Sequence, residues 1–176
     1  MRTTLTLLLS TALLLVAPTG AAPGAAAAAP ATAAERAEAP AERAAQRAGL
    51  ADRRRQVVRF TNRARRANGC APLRQVATLN LAAQRHTKRM ARARRLDHQL
   101  PGEPALGRRV TQAGYDWTRL GENIAYGYPT ARSVVRAWLR SPGHRRNILD
   151  CRFRHIGVGF VMRGGTPWWT QDFGRR

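Results

Sequence analysis

The most apolar stretch of the chain comes first. Leu5 to Val16 is a run of about a dozen mostly apolar residues behind Met1-Arg2. That is short of the roughly 20 residues a membrane-crossing helix needs. Small residues follow at Gly20, Ala21, Ala22 and Ala25 to Ala29. A positive start, an apolar run and a small-residue site make a secretory signal. Residues 1–24 are therefore assigned to a signal peptide, cleaved between Ala22 and Ala29, and the mature protein is expected outside the cell. From Ala25 to Gly49 the chain is mainly Ala, Pro, Glu and Arg, with no large apolar residue. Such a composition cannot supply a packed face, so residues 25–51 read as a linker, with helix only transient around Glu42 to Ala48.

Beyond Leu50 the apolar positions become periodic. Val57, Phe60, Thr61 and Ala64 share one face of a basic helix over Asp52 to Asn68, which Asn68-Gly69 stops. Leu79, Ala82, Ala83, His86 and Met90 form the stripe of a second helix, Gln75 to Arg95. Pro101 to Gly107 is a loop and Arg108 to Ala113 a short helical turn. Gly121 to Ala125 is a short strand. Thr130 caps a helix to Arg140 that turns Val134, Val135, Trp138 and Leu139 inward. Ser141-Pro142 opens a short helix to Leu149, with proline at the first helical position. Ile156 to Val161 alternates apolar residues with glycine, and Trp168 to Phe173 is a second long strand. Gly164-Gly165 joins the two as a hairpin. One of the adjacent tryptophans, Trp168 and Trp169, should point inward and the other outward. Helices first and strands last predict an α+β domain over 52–176 with an antiparallel sheet.

Charge narrows the function classes. The chain carries 31 Lys+Arg against 10 Asp+Glu, a net +21, and +20 of it falls on residues 51–176. Lys88 is the only lysine. The arginine bias fits a GC-rich genome as well as it fits arginine chemistry. So cationic a domain is attracted to anionic cell-wall polymers or anionic membrane surfaces. Export and the lack of an aromatic-basic motif argue against a specific nucleic-acid partner. Like charge favours a monomer.

Few residues can carry chemistry. Cys70 and Cys151 have one pairing available, and in an exported chain they are expected to form a disulfide. A bridge across 81 residues stabilises by roughly 4 kcal/mol in chain-entropy models. The histidines are His86, His98, His144 and His155. Among the scarce acids, Glu122 stands out on an apolar strand, where a half-buried carboxylate needs donors or a cation. Convergence of His98, Glu122 and His144 would make a cluster suited to Zn2+ or Mg2+, and equally suited to a polar cavity without metal. The separations of 24 and 22 residues are no metal motif, and HExxH is absent. His86, on an apolar stripe, reads as a core or cavity-rim histidine. Ser133 and Ser141 lack the GxSxG turn of a serine hydrolase.

Five segments in order resemble the CAP/SCP superfamily of cysteine-rich secretory, venom-allergen and pathogenesis-related proteins, in its bacterial secreted branch. They are Asn62-Arg63-Ala64-Arg65, Leu96-Asp97-His98, Gly121-Glu122-Asn123-Ile124-Ala125, Ala137 to Leu149 (AWLRSPGHRRNIL), and Ile156-Gly157-Val158-Gly159 with Trp168 to Gly174. The resemblance implies a three-layer α-β-α sandwich with a small central antiparallel sheet and a central cavity. It implies that His98, Glu122 and His144 fill three of the family's two-histidine, two-acid cavity positions. The second acid, three residues after the tryptophan, is Ser141 here, so the site keeps one carboxylate. Ser141 and Asn123 join the expected cavity wall. The implied function is binding of a small or lipidic ligand, with a divalent cation as candidate cofactor. A metal-assisted hydrolase using the same cluster and a basic surface-binding protein are the alternatives, and catalysis is the less favoured.

Overall fold

A computed structural model describes residues 33–176. The expected signal peptide and the first part of the linker lie outside these residues. The elements, in chain order, are α1 (Ala33–Arg66), β1 (Arg74–Gln75), α2 (Ala77–Ala93), α3 (Leu106–Gln112), β2 (Arg119–Tyr126), α4 (Ala131–Arg140), α5 (Pro142–Leu149), β3 (His155–Arg163) and β4 (Thr166–Arg175).

The first helix starts well before Asp52. Alanine, glutamate and arginine are strong helix formers, and the helix reaches back through Pro40 to Ala33. Positions 40–49 are exposed, as expected for a segment without a large apolar residue. The packed part begins near Leu50.

The sheet order is β1-β3-β4-β2. The three long strands pair antiparallel. β1 departs from the all-antiparallel expectation, because its two residues pair in parallel with His155 and Ile156 of β3. Two residues are too short to carry a hydrophobic period, so the pattern showed Gln75 only as the start of a helix. Gly164 and Gly165 turn the β3–β4 hairpin with positive φ at both positions, the backbone a tight two-residue hairpin requires.

Both faces of the sheet are covered. α1, α4 and α5 pack on one, over Ile156, Val158, Phe160, Trp169 and Phe173. α2 packs on the other, mainly against β3 and β4, and α3 lies beside it toward β2. The tryptophan expectation is corrected accordingly. Trp168 and Trp169 point to opposite faces, yet they are 5% and 0% exposed, because no face is left to solvent. Gly157 and Gly159 explain how closely α2 sits. A Cβ on Gly157 would lie 2.1 Å from the Leu79 carbonyl carbon, and one on Gly159 would lie 2.2 Å from Thr87 Oγ1. The alternation of glycine along β3 is thus a seat for α2, and it sets the depth at which His86 enters the core.

Cys70 and Cys151 form the expected disulfide. It ties the loop after α1 to the segment before β3.

Candidate functional site

β2 is the edge strand beside β4, and its side chains alternate between the faces. Glu122, Ile124 and Tyr126 turn toward the α2/α3 side. Asn123 and Ala125 turn toward α4 and α5. Helix side chains cover the outer backbone edge: Trp138 Nε1 donates to the Ile124 carbonyl at 3.1 Å, and Asn147 Nδ2 to the Glu122 carbonyl at 3.0 Å.

The Glu122 side chain is only 3% exposed, while that of His98 is 58% exposed. His98 Nδ1 donates to Glu122 Oε1 at 2.8 Å. Arg109, from α3, donates through Nη2 to Glu122 Oε2. Its Nη1 donates to the His98 carbonyl at 2.8 Å. One guanidinium therefore fixes both members of the His98–Glu122 pair. Behind it, His86 Nδ1 donates to both Glu103 oxygens at 2.9 and 3.0 Å. His86 Nε2 lies 3.9 Å from Glu122 Oε2. Asp172 stands directly across from Glu122 in the β2–β4 register and is 1% exposed.

These contacts push the titrations apart. Burial alone would raise the Glu122 carboxyl, but His98, His86 and Arg109 together hold it below the ordinary glutamate value. Asp172 goes the other way: burial, then the charge of Glu122, lift it well above the usual aspartate range. The two carboxyls are thus pushed apart, Glu122 toward the charged form and Asp172 toward the protonated one. The hydrogen bond to Glu122 raises His98 above the ordinary imidazole value. Burial, then the charge of His98, lower His144.

Among the described residues, the buried side-chain polar atoms without a partner are His86 Nε2, Arg109 Nε and both Asp172 oxygens. All belong to this one cluster, where burial normally demands partners.

Of the expected trio His98, Glu122 and His144, the first two are hydrogen-bonded to each other. His144 is on α5 and lies within reach of the His98 charge, but neither a hydrogen bond nor an ion pair links it to Glu122. Asn123 holds that side: its Nδ2 donates to the His144 carbonyl and to Gln171 Oε1, each at 3.1 Å. His144 and Ser141 line a cleft of ≈250 Å³ with Leu96, Ile124, Tyr126 and Trp138. A divalent ion does not fit the donors as placed. Both Glu122 oxygens are engaged, and a guanidinium already neutralises the charge a metal would use. Among the described residues, no group of three or more His, Cys, Asp or Glu side chains is arranged to hold a metal ion. No chemistry is routed through one.

Sequence reasoning missed Arg109, Glu103 and Asp172. For Asp172 a signal existed. It is a carboxylate on an apolar strand in an acid-poor chain, the same oddity that singled out Glu122. Arg109 had none, being one arginine among many on a short helix.

The profile that defines CAP, the cysteine-rich secretory protein family, matches residues 58–173. The chain belongs to the CAP family. It is 40% identical over 119 residues to YkwD of Bacillus subtilis, which covers 68% of this chain and 46% of that protein. Among solved structures it resembles an extracellular SCP-domain protein of Bacillus anthracis, with TM-score 0.68 and 28% identity over 72% of this chain and 41% of that one. An outer surface protein of Borrelia burgdorferi shares the CAP fold, with TM-score 0.62 and 22% identity over 68% of this chain and 89% of that one. The chain spans less than half the length of YkwD and of the B. anthracis protein. Among the described residues no helix is long and apolar enough to cross a membrane.

Proposed function

We propose that this CAP domain acts outside the cell as a binding module. It takes a small ligand into the cleft along the β2 edge, beside the His98–Glu122 pair. The supporting observation is where exposed apolar side chains gather. Leu96, Tyr126 and Tyr128 are 41%, 52% and 38% exposed, and all three line the cleft that holds Ser141 and His144. Exposed large apolar groups that converge on a concave, partly polar site are the usual mark of a ligand pocket. Leu96 and Tyr126 also line a larger neighbouring groove of ≈800 Å³, so the two depressions share a wall. The signal-like start of the chain, the disulfide and the extracellular or outer-surface character of two structural relatives support export.

Binding is favoured over hydrolysis by the bonding of Glu122. A general base needs to reach water or substrate, and the Glu122 side chain is 3% exposed, already accepts from His98 and Arg109, and does not line the cleft. The test is native mass spectrometry of protein isolated from its host, compared with Ser141→Trp, which fills the cleft. A retained small molecule is expected in the wild type and absent from the variant. Equal occupancy in both, or none in either together with no ligand-induced NMR shift at Ser141 or His144, would refute the reading.

A further inference from the structure

The ≈800 Å³ groove lies where the end of α2 meets the β3–β4 hairpin, and Ala91, Arg94, Leu96, Tyr126, Arg163 and Trp168 form its main walls. Its central feature is a ring pair. Tyr126 stacks on Trp168 with centroids 5.0 Å apart and planes 20° from parallel. Trp168 is 5% exposed and Tyr126 52%. The tyrosine ring is therefore held from behind and open in front, a flat surface set before any ligand arrives. Two cations line the same groove. Arg94, at the C-cap of α2, is the one non-glycine residue with positive φ among the described residues, at +50°. Side chains adopt that region at some cost. Arg163 ends β3. Among the described residues, neither guanidinium makes an ion pair or a side-chain hydrogen bond, and no acid lines the groove.

We propose that this groove binds an acidic glycan, with a pyranose ring on Tyr126 and its carboxylate held by Arg94 and Arg163. The inference rests on the ligand-binding reading above and names the class of ligand. The electron-rich ring face attracts the weakly positive C–H face of a sugar. A guanidinium fork matches a carboxylate in shape and charge. A fatty acid fits less well, because an alkyl chain needs walls that bury most of its surface, and here half of the tyrosine faces solvent. Single-stranded nucleic acid fits less well too. Its binders present successive stacking platforms along a track, and this groove has one.

The test is titration of the wild type with tri-galacturonate and with its methyl ester, by calorimetry and NMR in about 0.15 M salt, where the screening length is about 8 Å. The acid is expected to bind, and the ester about tenfold more weakly, the loss of roughly one ionic contact. Tyr126→Ala should weaken the acid about tenfold. The double variant Arg94→Ala/Arg163→Ala should do the same, while Arg108→Ala/Arg136→Ala, with the same change in net charge, should stay within about twofold. Equal binding of acid and ester overturns the proposal. So does an equal loss in the two arginine pairs, which would mean diffuse charge alone, or tighter binding of decanoate or oligo-dT. If Tyr126→Ala binds the trimer normally while NMR shifts persist at Ser141 and His144, the glycan groove falls and the cleft stands. If no probe shifts either region, both fall.

Discussion

Arg65 and Arg109 are both buried, at 0% and 7% exposed, but on opposite sides of the sheet and with opposite partners. Arg65 donates to four backbone carbonyls, those of Ala71, Ile148, Asp150 and Phe153, at 2.8 to 3.2 Å. Its partners are neutral, fixed and satisfied. It joins the end of α1 to the end of α5 beside the disulfide. Arg109 meets a carboxylate and two carbonyls, those of His98 and Pro104, and leaves its Nε without a partner. Its carboxylate partner can take up a proton, and Asp172 across the strand is pushed toward its protonated form. The junction of α1 and α5 is closed by Arg65 through bonds to carbonyls that cannot titrate. The Glu122 cluster is held by charges that can, and there the unsatisfied atoms collect. The same residue type thus serves as a staple on one side and as a positioning group on the other.

The largest expected effect falls on the staple. Arg65→Met would leave several buried carbonyls unpaired and cost roughly 3–5 kcal/mol in denaturant unfolding. That loss should be the same at pH 5 and pH 7, since carbonyls do not titrate. Arg109→Met should cost less, about 2–3 kcal/mol at pH 7, and should depend on pH. Without the guanidinium, the Glu122 carboxyl loses one of the three cations that hold it down, so it sits higher in the folded variant than in the folded wild type. The variant therefore loses stability relative to the wild type as pH rises, and the penalty is larger at pH 7 than at pH 5. Equal pH dependence in the two variants would erase the contrast.

Asp172→Asn sharpens it further. The folded carboxyl pair keeps a proton that an unfolded aspartate sheds above its ordinary value of 3.8. Wild-type stability therefore declines as pH rises from there toward the folded value, relative to the variant, with a slope of at most about 1.4 kcal/mol per pH unit. The asparagine cannot hold that proton, and the variant should be the more stable at pH 7. A variant less stable at every pH would mean that the Asp172 oxygens have partners the geometry does not reveal.

The fold was legible from period and punctuation: the α2 stripe is buried as spaced, and Thr130, Pro142 and Gly164-Gly165 mark real boundaries. β1 was not, because two residues carry no period. The site was legible only as far as rare residue types allowed. Glu122 and His98 are uncommon here and could be singled out. Arg109 and Arg65 were hidden by composition, since the chain is so rich in arginine that a buried one looks like any other.

The smallest effect tests whether the two faces act independently. Thr130 Oγ1 accepts from Ser133 N at 3.1 Å, and Ser133 Oγ accepts from Thr130 N at 3.1 Å, a reciprocal cap on α4. Thr130→Ala should cost about 1 kcal/mol. α4 reaches the edge strand through Trp138, whose indole binds the Ile124 carbonyl, two residues beyond Glu122. With the rest of α4 still packed, loosening its first turn should leave Ile124 in place. The imidazole titrations of His98 and His144, followed by NMR, should then keep their opposite displacements, His98 up and His144 down. A drift of His98 toward its ordinary value would show that the α4 cap is felt through β2 at the His98–Glu122 pair, and the staple side and the titrating side would have to be treated as one unit.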